Sequence, residues 1–102
     1  MGSKSVAVLI VCLLVASCGV PTMVEIRSKG YSAYKNRNKE VVIALSEERV
    51  NELGGPSGVA ASQVLKDAAV REGYCERDKY VYETAIRNPR GWYWQFIGRC
   101  AS

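Results

Sequence analysis

The first seventeen residues constrain the fold most, because their pattern predicts that they are not part of the folded domain. Lys4 supplies the only charged side chain there, residues 6–15 (VAVLIVCLLV) are wholly apolar, and Ala16 and Ser17 are small. This order of regions is typical of a secretory signal peptide. A permanent membrane-spanning helix needs about 20 apolar residues, and this run is shorter. We therefore predict an exported protein; the alternative is a buried core element over residues 6–17.

The residues around Cys18 resemble the lipobox of bacterial lipoproteins. There, an aliphatic residue and two small residues precede a cysteine, as Val15, Ala16 and Ser17 do here. The resemblance covers about the first fifth of the chain and implies that Cys18 is diacylated on sulfur, freed by cleavage at its amino side and then acylated on nitrogen. Two or more acyl chains anchor a protein stably, so the implied partner is a membrane.

The same resemblance implies the organisation of the chain and its location. Residues 1–17 would be the signal peptide, residues 18–22 a lipidated tether and residues 23–102 a small envelope domain. In lipoproteins of the enterobacterial type, a residue other than Asp after the modified cysteine permits sorting to the outer membrane, and Gly19 stands there. In a host with two membranes, the implied location is the periplasmic side of the outer membrane.

Two cysteines, Cys75 and Cys100, remain once Cys12 is removed with the signal peptide and Cys18 is lipidated. In an oxidising envelope compartment such a pair is typical of a disulfide. The chain contains no histidine, and two sulfurs alone cannot complete the four ligands of a zinc site. Two free buried thiols are the alternative to the disulfide.

The first half of the domain contains two predicted strands. Val24 and Ile26 alternate with Glu25 and Arg27, which predicts a short strand over residues 23–27. Residues 28–39 are polar and predict a loop or turn. Residues 40–45 (EVVIAL) are apolar and β-branched, which indicates a buried strand.

Helical patterns follow. Ser46 is a predicted N-cap for one short helix, which Gly54 and Gly55 end. Over residues 59–72, small and apolar residues recur at helical spacing on one face, and Gly73 is placed to end that helix. This segment is the main amphipathic helix of the domain.

A hairpin ends the chain. Residues 79–87 and 92–99 are rich in aromatic and β-branched residues, and residues 88–91 (NPRG) predict the turn between them. Pairing Arg87 with Trp92 places Lys79 opposite Cys100, so that a bond from Cys100 to Cys75 is geometrically reasonable. We predict an α+β fold with a small antiparallel sheet of about four strands and the main helix packed on one face.

The predicted register places Trp92, Trp94 and Phe96 on one face of the hairpin. One helix covers only one face of a sheet, so aromatic side chains on the other face would be exposed. Exposed aromatic side chains favour a binding surface, because they offer a large contact area at low entropy cost. The alternative is that helices, the N-terminal segment or Lys and Arg stems cover both faces.

Between Glu25 and Glu40 every charged side chain is basic. The candidate binding residues in this segment are Arg27, Lys29, Tyr31, Tyr34, Lys35, Arg37 and Lys39. A short tether would hold the segment near the lipid surface, where anionic head groups or an acidic partner would meet it. A solvated loop without a partner is the alternative. Nucleic acid is not an expected partner of an exported protein.

Catalysis is not expected. Without histidine, Ser-His-Asp and Cys-His arrangements and histidine metal sites are excluded. Residues 54–58 (GGPSG) lack the Lys-Ser/Thr ending of a phosphate-binding P-loop. Glu76 and Asp78 are conceivable as an acid and base for sugar cleavage, but two carboxylates in a charged loop are usually surface residues. We predict a non-enzymatic protein with no cofactor and no metal.

These features predict a lipid-anchored envelope protein that binds another envelope component, either a protein or peptidoglycan. The alternative is an inhibitor or immunity-type lipoprotein that blocks an incoming enzyme, phage or conjugating cell through a protruding loop. Residues 35–39 and 88–91 are the candidate loops for that role. A structural lipoprotein with no specific partner is a third interpretation.

Overall fold

The computed structural model describes residues 22–102, which form an α+β fold. In chain order the elements are helix α1 (Met23–Lys29), strands β1 (Ser32–Lys35) and β2 (Val41–Ser46), helices α2 (Glu47–Glu52) and α3 (Val59–Arg71), and strands β3 (Tyr80–Arg87) and β4 (Tyr93–Cys100). The strands form one antiparallel sheet in the order β1-β2-β4-β3. The predicted fold class, the four-stranded sheet and the C-terminal hairpin are confirmed. The predicted signal peptide lies outside the described residues.

The hydrophobic core lies between α2 and α3 and one face of the sheet, here called the core face. Its fully buried side chains are Val41, Ile43, Leu45, Val50, Leu65, Ala69 and Phe96. Because side chains alternate along a strand, every second residue of the strongly apolar strand β2 reaches this core. Tyr80 is also buried, and its phenol donates a hydrogen bond of 2.9 Å to the carbonyl oxygen of Val41. The main amphipathic helix therefore packs as predicted.

The predicted helix ends are confirmed. The Ser46 hydroxyl accepts a hydrogen bond of 3.0 Å from the backbone N–H of Arg49 at the start of α2. Gly54 and Gly55 both adopt positive φ after that helix. Gly73, with φ of +77°, follows α3, and the N–H of the next residue, Tyr74, returns to a carbonyl of the last turn.

The strand predicted over residues 23–27 is wrong, because this segment is helix α1. The Thr22 hydroxyl accepts a hydrogen bond of 3.2 Å from the N–H of Glu25, and Gly30 ends the helix with φ of +92°. Of the two alternating apolar residues, only Ile26 is buried, whereas Val24 is 77% exposed. Local capping at both ends of the segment outweighs an alternation of two apolar residues.

Helix α1 lies on the second face of the sheet, the face opposite the core. It contacts β1 and β2, and its Glu25 carboxylate accepts a hydrogen bond of 2.7 Å from the Ser32 hydroxyl. Ser32 pairs with Ala44, whose side chain points away from the core face by strand alternation. The sheet therefore has a helix on each face, but α1 is only two turns long.

The polar segment 28–39, predicted to be a loop, contains strand β1. β1 pairs antiparallel with β2 from Ser32 opposite Ala44 to Lys35 opposite Val41. The amide oxygen of Asn36 accepts hydrogen bonds from the N–H groups of Asn38 and Glu40, at 3.0 and 2.9 Å, which closes the turn. The strand forms because the exposed edge of the apolar strand β2 pairs with it, although its own sequence has little β-propensity.

The register of the C-terminal hairpin differs from the predicted one. Arg87 lies opposite Trp94 rather than Trp92, and Tyr80, not Lys79, lies opposite Cys100. A β-bulge between Tyr82 and Thr84 inserts one extra residue into β3. The bulge turns Tyr80 and Tyr82 to the core face, whereas the predicted register had them on the opposite face from Phe96.

Candidate functional site

The second face of the sheet is only half covered. Beneath α1, the side chains of Val42 and Ala44 are buried. Farther across the sheet, on β3, Val81 is 53% exposed and Ile86 is 50% exposed. The uncovered half of this face includes its partly buried neighbours on β4. We call its members Val81, Thr84, Ile86, Tyr93 and Ile97 the open patch; the polar residues Gln95 and Arg99 share the same face of β4. An exposed group of apolar side chains on one sheet face is typical of a contact surface.

The open patch adjoins a free sheet edge. Within residues 22–102, β3 pairs only with β4, so its outer backbone groups are available to another strand. The bulge beside Glu83 interrupts the strand, and the Glu83 carboxylate lies 4.0 Å from the guanidinium of Arg99 on β4. The edge is therefore regular in two short stretches rather than along its whole length.

The three aromatic residues predicted to share an exposed face do not do so. Phe96 is fully buried in the core, with its ring centroid 5.2 Å from that of Tyr82 in an edge-to-face contact. Trp94 is partly buried and packs against the same core. Only Trp92, which is 48% exposed, lies at the surface. The prediction is wrong for Phe96 because it pairs with Ile43 of β2 and therefore points to the core face, which the helices cover.

Trp92 projects from the predicted turn at residues 88–91, which the structure confirms. The N–H of Asn88 donates to the carbonyl oxygen of Tyr93, the N–H of Gly91 donates to that of Asn88, and both distances are 2.8 Å. The Asn88 amide oxygen accepts a further hydrogen bond from the N–H of Arg90. The Arg90 guanidinium lies 5.2 Å from the centroid of the Trp92 ring, a cation–π distance. The turn thus presents a cation and an indole together.

A groove of about 310 Å³ separates this turn from α1. Met23 and Arg27 of α1 line one side, and Gly91 and Trp92 line the other. Ser46 and Glu48 complete it. The groove therefore joins the tip of the C-terminal hairpin to the first residues of the described chain.

The predicted basic segment is divided between different parts of the fold. Arg27 and Lys29 lie on α1, Tyr31 is buried in the core, and Tyr34 lies on the second face of β1 and is partly exposed. The interpretation of the segment as a single exposed loop is therefore wrong for Tyr31. The Tyr31 ring packs in the core, although the residues that flank it in the sequence are polar.

Tyr31, Lys29 and Glu72 form a cluster at the edge of the core. The phenol of Tyr31 donates a hydrogen bond of 2.6 Å to the Glu72 carboxylate, and the Lys29 ammonium lies 3.3 Å from the same oxygen. The hydrogen bond from Tyr31 holds the pKa of Glu72 below its ordinary value of 4.5. Burial and the bond to Glu72 raise the pKa of Tyr31. The cluster ties α1 and β1 to the end of α3, which is a structural role.

The remaining predicted cations, Lys35, Arg37 and Lys39, surround the turn between β1 and β2. All three are exposed, and none forms an ion pair with another residue of 22–102. This turn begins at the end of the sheet opposite Ser32, about 13 Å away along the strand at the usual rise per residue. Thr22 contacts Ser32, so a short tether does not by itself bring these cations to a lipid surface.

The predicted disulfide is present. Cys75 and Cys100 are bonded, with their Cα atoms 5.5 Å apart. The bond joins the segment after α3 to the end of β4. Beside it, Glu76 and Asp78 are exposed in the turn before β3, and Asp78 lies 4.0 Å from Arg77. The two carboxylates considered as an acid–base pair are thus surface residues of one turn.

The described part of the chain holds no group of three or more Cys, Asp or Glu side chains arranged for a metal ion. Across residues 22–102, none of the helices has the length and apolar character needed to cross a bilayer. Cys18 and the remainder of the lipobox lie outside the described residues.

Comparison with known proteins gives no match. No family model matches the chain, and no curated protein and no solved structure is significantly similar to it.

Sequence reasoning missed Val81 and Ile86 as candidate contact residues. Both are exposed because α1 reaches only β1 and β2, which depends on the tertiary position of a helix that the sequence pattern did not predict. Arg90 lies in the turn at residues 88–91, which the sequence did single out as a candidate loop.

Proposed function

We propose that this protein is a non-enzymatic lipoprotein of the bacterial envelope that is anchored through Cys18 and binds another envelope protein through the open patch. The anchor rests on the resemblance of residues 15–18 to a lipobox and on the signal-like residues before them. The disulfide between Cys75 and Cys100 supports export, because disulfides persist in oxidising compartments.

The observation that carries the binding role is the exposure of Val81 and Ile86 on a sheet face that is buried elsewhere. Leaving such side chains in water forgoes about 25 cal/mol for each square ångström of apolar surface. A partner that covers them gains this free energy, and the adjoining free edge of β3 offers backbone hydrogen bonds. The partner that fits is a protein with an extended, partly apolar segment.

Two experiments test the proposal separately. For the anchor, Cys18→Ser should abolish acylation and release the protein from membranes, as measured by mass spectrometry and fractionation. A Cys18→Ser variant that is processed and fractionates like the parent would contradict the anchor.

For the binding role, a photo-crosslinking amino acid is placed at Ile86 in the cell. The matched control is Gln63, which is exposed on α3 and lies on the other side of the sheet. We expect one crosslinked envelope protein from position 86 and none from position 63. A crosslink to an incoming enzyme or phage protein would instead favour the inhibitor class, and equal yields from both positions would contradict a specific patch.

A further inference from the structure

The chain enters the fold beside the C-terminal hairpin tip. Thr22 caps α1, and its N–H lies 3.5 Å from the Ser32 hydroxyl at the start of β1. The next residue, Met23, lines the groove whose opposite wall is Gly91 and Trp92. The end of the sheet that receives the tether is therefore the end that carries the turn at residues 88–91.

The tether limits how far this end can move from an anchored cysteine. Only residues 19–22 separate Cys18 from α1, and four residues span about 14 Å when fully extended. Surfaces next to Thr22 therefore stay within reach of the lipid head groups.

The surface at this end has the chemistry of a lipid contact. We define the tether-side surface as Met23, Val24, Arg27, Arg90 and Trp92. Val24 is 77% exposed and Trp92 is 48% exposed, and indole rings favour the boundary between water and lipid. Neither arginine forms an ion pair with another residue of the described chain. Glu48 is the acidic side chain that lines the groove beside them, and the neighbouring Glu47 is paired with Arg87.

We propose that the tether-side surface rests on the anionic head groups of the membrane that holds the acylated Cys18. Trp92 inserts its indole at the head-group level, and Arg27 and Arg90 bind lipid phosphates. This inference rests on the proposed lipid anchor. It orients the domain: the open patch faces sideways, where an envelope protein can reach it, and the turn with Lys35, Arg37 and Lys39 points away from the tethered end.

The test uses the two tryptophans as reporters in the acylated protein, reconstituted into vesicles of anionic lipid with brominated acyl chains. Trp94→Phe leaves Trp92 as the only tryptophan, and Trp92→Phe leaves Trp94 as the matched control. We expect brominated lipid to reduce Trp92 emission at least twofold relative to unbrominated vesicles and to leave Trp94 emission nearly unchanged. Circular dichroism checks that each variant is folded, and wild-type protein, which keeps both indoles, should show an intermediate loss of emission.

Equal emission of Trp92 in brominated and unbrominated vesicles would overturn the proposal, and so would quenching of Trp94 alone. In the Trp94→Phe background, Arg27→Gln with Arg90→Gln should weaken the quenching; unchanged quenching would overturn the role of the arginines. Fractionation of Cys18→Ser separates the two ideas. If that variant leaves the membrane but Trp92 is not quenched in the acylated protein, the anchor stands and only the orientation fails.

Discussion

Removing the disulfide should cost a large part of the stability of this small domain. The bond joins residues separated by 25 positions, and in the chain-entropy model a loop of that length contributes about 3.5 kcal/mol at 25 °C. A domain of roughly 80 residues has a total free energy of unfolding of about 4–12 kcal/mol. The loop closed by the disulfide contains both β3 and β4. Without the bond, the unfolded chain is no longer restrained over the residues that form half of the sheet.

The measurement is urea and thermal unfolding of the Cys75→Ser/Cys100→Ser variant and of the wild-type protein with and without reductant. At this size, about 3.5 kcal/mol corresponds to a fall in melting temperature of roughly 15–25 °C. The reduced wild type should match the double variant, and reductant should leave the double variant unchanged.

Two outcomes would contradict a stabilising role for the closed loop. If the double variant unfolds within about 1 kcal/mol of the oxidised parent, the closed loop does not restrain the unfolded ensemble as the entropy model requires. If each single Ser variant is instead much less stable than the double variant, an unpaired thiol rather than the lost crosslink is the cause.

Three further perturbations test the packing and the electrostatics. Gly98→Ala should destabilise by about 1–3 kcal/mol or more, because an added Cβ at this buried glycine collides with the neighbouring backbone of β3; an unchanged urea midpoint would contradict the close strand approach. Leu65→Ala should cost about 2–5 kcal/mol because Leu65 is fully buried, whereas Val59→Ala at an exposed helix position should cost little, and equal effects would be inconsistent with the core. Tyr31→Phe should cost about 1–2 kcal/mol at pH 7. The pKa of Glu72 is lowered in the folded state, so the cluster stabilises the fold at pH values above the ordinary carboxyl pKa of 4.5, and this contribution is lost as the pH falls below that value. The loss of stability caused by Tyr31→Phe should therefore be smaller in urea titrations at pH 3 than at pH 7. An equal loss at both pH values would refute the coupling.

Elements with a complete local pattern could be predicted from the sequence. α3 repeats apolar residues on one face over three turns and ends at a glycine, and β2 is apolar at nearly every position. In both cases neighbouring residues alone supply the secondary-structure propensity, the hydrophobic pattern and the residues that end the element. The pairing of Cys75 with Cys100 also followed, because the prediction of a cleaved signal peptide and a lipidated Cys18 left two cysteines, which have one intramolecular pairing.

Helix α1 shows how a short segment misleads. Two apolar residues in alternation suggested a strand, but Thr22 and Gly30 cap the segment as a helix. Those capping residues were visible in the sequence and outweigh the alternation. Strand β1 is the reverse case: its residues carry little strand preference, and it is ordered by pairing with the edge of β2.

The sequence by itself determined helices α2 and α3, the C-terminal hairpin, the crosslink and the chemical character of the tip at Arg90 and Trp92. Tertiary structure decided which side chains reach the surface. One bulged residue in β3 reverses the faces of the residues before it, and the reach of α1 decides how much of the second face stays open. Both depend on contacts between residues far apart in the chain, which short-range periodicity does not encode.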